Sequence, residues 1–337
     1  MKLGVGLYGN NGGHQIQGEL NDHPDAQVVA IAGMDIQQLT PEQQADSSIR
    51  VYDTLEAMLT DERVQIVSLC SPIRARQADE AIMCMNQGRH VYAEKPCAMK
   101  ESDIDRLIET SRATGCQFRE MAGTAFQQPY LAIRQLVRSG AIGDVVQVFA
   151  QKSYPSHDGR PQDETIDGGL IGQNGIHAVR FIEHAAGVKI KHVTAVETRL
   201  GNPRAEGMLP MAASLVMELA NGGVASSIIN YLNPQGTGCW GNDHLRIFGT
   251  EGMIESTDGG ARTRLVIGNA DKGPLELEEP VYSYFDLYMK SLLGHAEMPL
   301  TLEEELHCTR VVLRAKTSAQ AACTVQPTVN PMKSLRE

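Results

Sequence analysis

No stretch of this chain approaches the roughly 20 consecutive apolar residues that a bilayer-spanning helix needs, so membrane insertion by helices is not expected. There is no tract of lysine and arginine either. The formal charge is −11, from 30 basic and 41 acidic residues spread along 337 positions. The clustered cations that give a nucleic-acid surface most of its affinity are therefore missing. No two cysteines stand as C-x-x-C. The seven, at positions 70, 84, 97, 116, 239, 308 and 323, make an odd set. That argues against a zinc site or a disulfide framework and for reduced thiols. No metal site is expected. The opening "MKLGVGLYG" contains no apolar leader or cleavage site, which points to the cytoplasm. No internal repeat or low-complexity segment is visible.

What is there describes a globular α/β protein. Apolar residues make up 42% and charged residues 21% of the chain, and its length suits two domains better than one core. The first third alternates apolar strands with amphipathic helices. "KLGVGLYG" reads as a strand and "HQIQGELNDH" as the helix after it. "AQVVAIAG", "VQIVSLC", "RHVYAE" and "QFREMAG" read as further strands. "DTLEAMLTD", with Asp53 as cap and Glu56 three residues on, "RARQADEAIMCMNQG", closed by Gly88, and "ESDIDRLIETSRATG" read as helices. This alternation predicts a parallel sheet covered on both faces, with ligands beyond the carboxyl ends of its strands. From "DVVQVFAQKSY" onward, strands follow one another with few helices between them, which predicts a largely antiparallel sheet. Two helices, "YSYFDLYMKSLLG" and "LEEELHCTRVVLRAKTSAQ", close the chain. The boundary falls near residues 122 to 126, giving domains of 1–122 and 123–337.

A G-x-G-x-x-G match at Gly4, Gly6 and Gly9 lies inside the first strand and carries no weight. The useful turn is "GNNGGHQ", residues 9 to 15, with Gly9, Asn10, Asn11 and Gly12 placed to hold a pyrophosphate. Counted from Gly9, the second glycine position falls on Asn11, which tolerates a left-handed backbone, and the third on His14. N–H groups at the start of the next helix would complete the anion site. A glycine-rich turn without a ligand is the alternative. At the end of the second strand Gly33 occupies the place where a ribose-binding acid is wanted, with Asp35 two residues late. Since neither arginine nor serine follows directly, NAD is preferred over NADP.

"GRHVYAEKPCAMK" puts Glu94, Lys95 and Pro96 at the tip of an apolar strand. A lysine there either snorkels to water or, partly desolvated, has a lowered pKa and shares a proton with substrate. "GGLIGQNGIHAVRF" sets His177 in a short helix opening from two glycines.

With these two stretches, the chain resembles the Gfo/Idh/MocA family, the relatives of glucose-fructose oxidoreductase and inositol dehydrogenase. "VYDTLEAMLTDERVQIVSLCSP", "AIRQLVRSGAIGDVV" and "MPLTLEEELHCTRVVLRAKTSA" extend the resemblance over nearly the whole chain. It implies an N-terminal Rossmann domain and a C-terminal α/β domain whose open sheet forms oligomer contacts, as in a homodimer or homotetramer. It also implies NAD(P)-dependent oxidation or reduction of a secondary hydroxyl on a sugar, sugar acid or cyclitol. Lys95 matches the family's catalytic lysine and His177 its catalytic histidine. Ser71, Pro72 and Glu94 match positions near the nicotinamide.

The departures matter too. Many family dehydrogenases carry aspartate four residues before the histidine and three after it, where this chain has Gln173 and Arg180. Taken as one helix face, Gln173, His177 and Arg180 would line the same pocket. Arg180 would then hold an anionic substrate, or else pair with Glu183. Losing two carboxylates should also lower the histidine pKa. Trp240 could stack on a sugar ring, while His157 and Asp158 sit in a polar loop. His184 and Cys97 read as structural. Two alternatives stay open: a redox-neutral enzyme with trapped NAD, performing elimination, epimerisation or glycosidic cleavage, and a non-catalytic binding protein.

Overall fold

Two sheets organise the chain in the computed structural model, which describes residues 2–278 and 282–321. Cys323, one of the seven thiols, lies outside them. The first sheet comprises β1 (Leu3–Tyr8), β2 (Ala26–Ala32), β3 (Arg50–Tyr52), β4 (Ile66–Leu69), β5 (His90–Ala93) and β6 (Phe118–Glu120). All pairs are parallel and the order is β3-β2-β1-β4-β5-β6. Helices α1 (Pro41–Gln44), α2 (Leu55–Leu59), α3 (Gln77–Asn86) and α4 (Glu101–Thr114) connect the strands. Every residue of β4 is buried, as a strand covered on both faces requires. The strand order reverses between β1 and β4, so the crevice of this doubly wound sheet opens over Gly9 and Ser71.

Two local expectations fail. The segment after the glycine turn is not a helix but a run of turns, in which Ile16 O accepts from the N–H groups of Glu19 and Leu20. Gly18 weakens helix propensity there. Gln15 also turns inward, its Nε2 donating to Gly9 O at 2.9 Å. At α2 the cap is Thr54, whose Oγ1 accepts from Ala57 N at 3.2 Å, not Asp53.

The rest of the chain contributes α5 (Tyr130–Arg138), β7 (Val145–Ser153), α6 (Glu164–Asp167), α7 (Ile176–Arg180), β8 (Ile190–Thr198), β9 (Ala212–Leu219) and β10 (Val224–Asn230). It continues with β11 (Asn242–Gly249), β12 (Gly252–Thr257), β13 (Arg262–Ile267), β14 (Ala270–Gly273), α8 (Tyr284–Leu292) and α9 (Leu302–Gln320). Their sheet runs β14-β13-β12-β11-β7-β10-β9-β8. It is mixed but mostly antiparallel, because β7 and β10 pair in parallel. Strict alternation in β9 and β10 buries one face and exposes the other. The helical segment around α7 lies on the buried face so closely that a Cβ at Gly175 would come 2.9 Å from Ile229.

The last two helices also reach the first sheet. Tyr288 Oη donates to Val91 O at 3.3 Å, and Tyr92 packs on Phe285 and Tyr288 with centroids 5.3 and 5.4 Å away. Among the described residues no helix is long and apolar enough to cross a membrane.

Candidate active site

Glu94 and Lys95 leave β5 at its carboxyl end, and both are buried. Lys95 Nζ donates to Gln173 O at 2.9 Å and to Gln173 Oε1 at 2.5 Å, with Glu94 Oε1 3.8 Å away. Burial pulls the lysine pKa down to about 8 despite Glu94, and the charges of Arg74, Arg180 and Lys152 act in the same direction as burial. Burial works against the Glu94 carboxylate as well. The attraction of His14, with Nδ1 2.8 Å from Oε2, together with Lys95 and Arg74, outweighs it and holds Glu94 down at about 2.

His177 faces the same space from α7. Its Nδ1 lies 3.0 Å from Thr124 Oγ1, whereas its Nε2 is buried without a partner. Burial, then the charge of Lys95, pushes the imidazole well below the usual histidine range, so it is neutral at pH 7. A cavity of about 320 Å³ brings together Lys95, His177, Thr124, Tyr154, Lys152 and Asp243. A second, of about 370 Å³, shares His14, Lys95 and Tyr154 with it and extends to Gly12, Gln173 and Trp240. Trp240 is largely exposed, its ring 6.1 Å from Tyr154 and 6.0 Å from His157.

The sequence expected Gln173, His177 and Arg180 on one face. They diverge, because wide i→i+5 turns at Ile171–Gly175 and Phe181–Ala185 flank α7 and rotate its neighbours. Gln173 reaches Lys95. Arg180 does not border the substrate cavity: it is wholly buried, donating to the Glu120 carboxylate and, at 2.8 Å, to Met121 O. Its partner is Glu120, not Glu183, which instead lies 2.8 Å from His307. His184 is buried against Glu304 O and Cys308, a structural position.

The glycine turn also differs in detail. Gly9, Gly12 and Gly13 have φ of +66°, +92° and +71°, and neither Asn10 nor Asn11 is left-handed. Asn11 instead donates its side-chain amide to Ile166 O, across the crevice, and to Pro72 O at 3.3 Å. Without the expected helix, any pyrophosphate would rest on loop N–H groups alone. A Cβ at Gly12 would stand 3.3 Å from Glu94 Cδ and Arg74 Nη2, so glycine keeps the floor of the turn open beside the Glu-Lys tip. Asn10 O accepts from Gly13 N at 3.3 Å and fixes the turn.

Ser71, at the crevice, has both its polar groups committed to α3. Its hydroxyl donates to Glu80, and its N–H donates to Gln77 Oε1 at 3.2 Å. Pro72 packs beneath Gly9. Asp35 is exposed and caps a short helical turn, accepting from Gln37 N at 2.8 Å, while Gly33 is left-handed where a Cβ would come 3.0 Å from Tyr8.

Sequence reasoning missed Arg74, Thr124, Lys152 and Asp243. Arg74, fully buried, donates to Asn11 O at 3.1 Å and Gln77 Oε1 at 2.6 Å, bracing the turn. Lys152 and Asp243 face each other across β7 and β11 on the inward side. Charged residues at inward positions of alternating strands were the available signal. Among the described residues no cluster of three or more His, Cys, Asp and Glu side chains is arranged to hold a metal.

Fold and site thus define a two-sheet α/β protein whose nucleotide-type crevice brings a desolvated lysine and an imidazole into one cavity. Residues 3–121 match the oxidoreductase family with NAD-binding Rossmann fold, and residues 130–255 match the GFO/IDH/MocA C-terminal domain. The chain belongs to the Gfo/Idh/MocA oxidoreductase family. It is 28% identical over 173 residues to a trans-1,2-dihydrobenzene-1,2-diol dehydrogenase of Xenopus laevis, covering 51% of this chain and 52% of that protein. It is 27% identical over 210 residues to dTDP-3,4-didehydro-2,6-dideoxy-alpha-D-glucose 3-reductase of Streptomyces violaceoruber, covering 62% and 58%. The chain therefore spans little more than half the length of the curated relatives it matches. A solved structure from Thermotoga maritima superposes with a TM-score of 0.85 at 25% identity, covering 94% of this chain and 98% of that one.

Proposed function

We propose that the protein is an NAD-dependent dehydrogenase acting on a secondary hydroxyl of a sugar or cyclitol. The observation that carries this reading is the pairing of buried Lys95 with the buried, unpartnered Nε2 of half-buried His177 on one cavity, next to an open glycine turn. Bound NAD supplies the hydride acceptor. Gly9, Asn10, Asn11 and Gly12 would hold its pyrophosphate, Asp35 its ribose, and Pro72 and Glu94 would flank the nicotinamide end.

The proton is handled by the protein. A neutral amine at Lys95 keeps its two N–H bonds on Gln173 O and Oε1 and leaves its lone pair for the substrate hydroxyl proton. A lysine at about 8 is matched to that task near neutral pH. With Nδ1 engaged by Thr124, His177 has Nε2 left to hold the substrate oxygen. Lys95 is thus the base and His177 the orienting partner. The sugar-acid option rested on Arg180, whose charge is taken by Glu120. As part of the same reading the protein works in the cytoplasm, as a homodimer or homotetramer formed through the exposed sheet face.

The test is NADH formation from a panel of cyclitols and aldoses, with wild type and Lys95→Met. Turnover in wild type and a loss of about 10²- to 10⁴-fold in the variant, with unfolding unchanged, is the expected result. Nucleotide released on denaturation is quantified alongside. Stoichiometric NAD with no net NADH would move the reading to redox-neutral chemistry, and no nicotinamide nucleotide binding at all would leave a non-catalytic relative.

A further inference from the structure

Both lysines that line the substrate cavity stand against carboxylates. Lys95 stands by Glu94, and Lys152 Nζ lies 2.7 Å from Asp243 Oδ2. Arg180, behind the cavity, is committed to Glu120. Among the described residues lining this cavity, each lysine already has a carboxylate neighbour, so an added anion would share its cation with a buried carboxylate.

The Lys152–Asp243 pair is itself incomplete. Asp243 Oδ2 is also 3.4 Å from the Tyr130 hydroxyl, whereas Oδ1 is buried with no partner. A buried carboxylate oxygen without a donor is costly unless something else supplies one. Lys152 Nζ gives one proton to Asp243 and sits 5.0 Å from the centroid of the Tyr154 ring, which leaves it with donors to spare. Beside both atoms stands a residue without a side chain, Gly241. A Cβ at Gly241 would fall 3.2 Å from Lys152 Nζ and 3.3 Å from Asp243 Oδ1. No left-handed backbone requires glycine there; what the missing Cβ avoids is a contact with Lys152 Nζ and Asp243 Oδ1 tighter than ordinary packing. The Tyr154 ring joins this pair to the reacting centre, its centroid 6.1 Å from that of His177.

We infer that Lys152 and Asp243, beside Gly241, form a second hydroxyl subsite. A hydroxyl seated there donates to Asp243 Oδ1 and accepts from Lys152 Nζ, two bonds that an ether, a methylene or a carboxylate does not make together. This rests on the dehydrogenase reading and deepens it: the substrate is a neutral polyol, held by one hydroxyl while another meets Lys95 and His177. Selection comes from leaving Asp243 Oδ1 unpaired when the second hydroxyl is absent.

The experiment measures binding by calorimetry to the full-length protein in saturating NAD, using cyclohexanol, the isomeric cyclohexanediols and 2-hydroxycyclohexanecarboxylate as probes. At least one diol binds about tenfold tighter than cyclohexanol, the worth of one hydrogen bond to a charged group, and the hydroxy acid binds no tighter than that diol. Gly241→Ala, whose methyl crowds Lys152 Nζ and Asp243 Oδ1 while keeping both charges, and Asp243→Asn, which keeps the size and removes the charge, each abolish the preference. If Asp243→Asn does not fold, Gly241→Ala decides. Diols that bind no tighter than cyclohexanol, undetectable binding of either included, overturn the subsite. So do a preference for the hydroxy acid and an undiminished preference in Gly241→Ala. NADH formation in the same samples separates the two readings. Diol preference without NADH removes the dehydrogenase and keeps the subsite, while NADH formed equally from cyclohexanol and diols does the reverse.

Discussion

Gln173 holds Lys95 with two neutral oxygens and adds no charge, so burial, opposed by Glu94, sets the acidity of the lysine. In the oxidation direction the neutral amine is the working form, so kcat/KM rises with pH through the lysine pKa of about 8. In Gln173→Glu, a carboxylate close to Nζ favours the ammonium. The rising limb then moves to higher pH by about one unit or more. A pH profile of NADH formation that does not move would remove Lys95 as the titrating base. Arg180 calls for a different variant. Arg180→Met leaves the Glu120 carboxylate buried with only Cys97 N and Thr309 Oγ1 donating, each at 2.7 Å. The expected cost is about 3–5 kcal/mol in denaturant unfolding, as for other broken buried pairs. Adding Glu120→Gln recovers part of it. Lys95 and His177 stood out in the sequence, one at an apolar strand tip and one in a glycine-opened helix, but only the family resemblance gave them roles. Arg180 was misread because its direction depends on wide turns that no spacing rule anticipates. Lys152 and Asp243 were readable as inward-facing charges, but the sequence does not tell which strands are neighbours, so their pairing was not.

Helix α9 brings an acid to the point where β6 ends. Glu305 is wholly buried, accepting from the Glu120 N–H and, at 2.6 Å, from Tyr284 Oη. Burial pushes its pKa up to about 7, with the Glu120 charge adding to the rise and Arg119 opposing it. The folded value exceeds the ordinary 4.5, so the folded state holds this proton more tightly than the unfolded chain. The associated stability is fully present below pH 4.5 and is lost as the pH rises through 7. Other groups titrate in the same window, which makes the comparison with Glu305→Gln the informative one. Between pH 5 and pH 8 wild type loses stability relative to that variant, and a pH-independent difference in thermal unfolding would refute the assignment. At this scale the sequence served well. Buried strands such as β4 and β5 and capped helices such as α9 announce themselves by apolar runs and end residues. The failure came at Ile16–Leu20, where two apolar residues four apart imitate a helix. Both are buried, Ile16 at 2% and Leu20 at 4% exposure, by turns that do not propagate into a regular helix.

The eight-stranded sheet separates two tasks by the alternation of its side chains. Lys152 and Asp243 lie on the inner face, over the cavity. On the outer face, register places Thr194, Val216, Ser226 and Phe149 in one row, and Val224, Gln147 and Phe248 in the next. Val196 and Val216 are 55% and 65% exposed, and Val224, Ile228 and Phe248 are also exposed on this face. Exposed apolar residues alternate on this face with polar ones such as Thr194, Ser226 and Gln147, the mixed composition of a protein contact surface. In the proposed homo-oligomer a second copy of the same chain would meet it with the same face, as twofold symmetry requires. Sedimentation of wild type at micromolar concentration is therefore expected to give a dimer or tetramer. Val216→Glu, which puts a charge on this face, shifts the population toward monomer. Because the altered side chain points away from Lys152 and Asp243, turnover per site in the dissociated variant stays within a few-fold of wild type. A wild-type monomer would reject the outer face as an interface. A variant that dissociates and also loses turnover would show that assembly props up the inner face, so that the sheet does not insulate one task from the other.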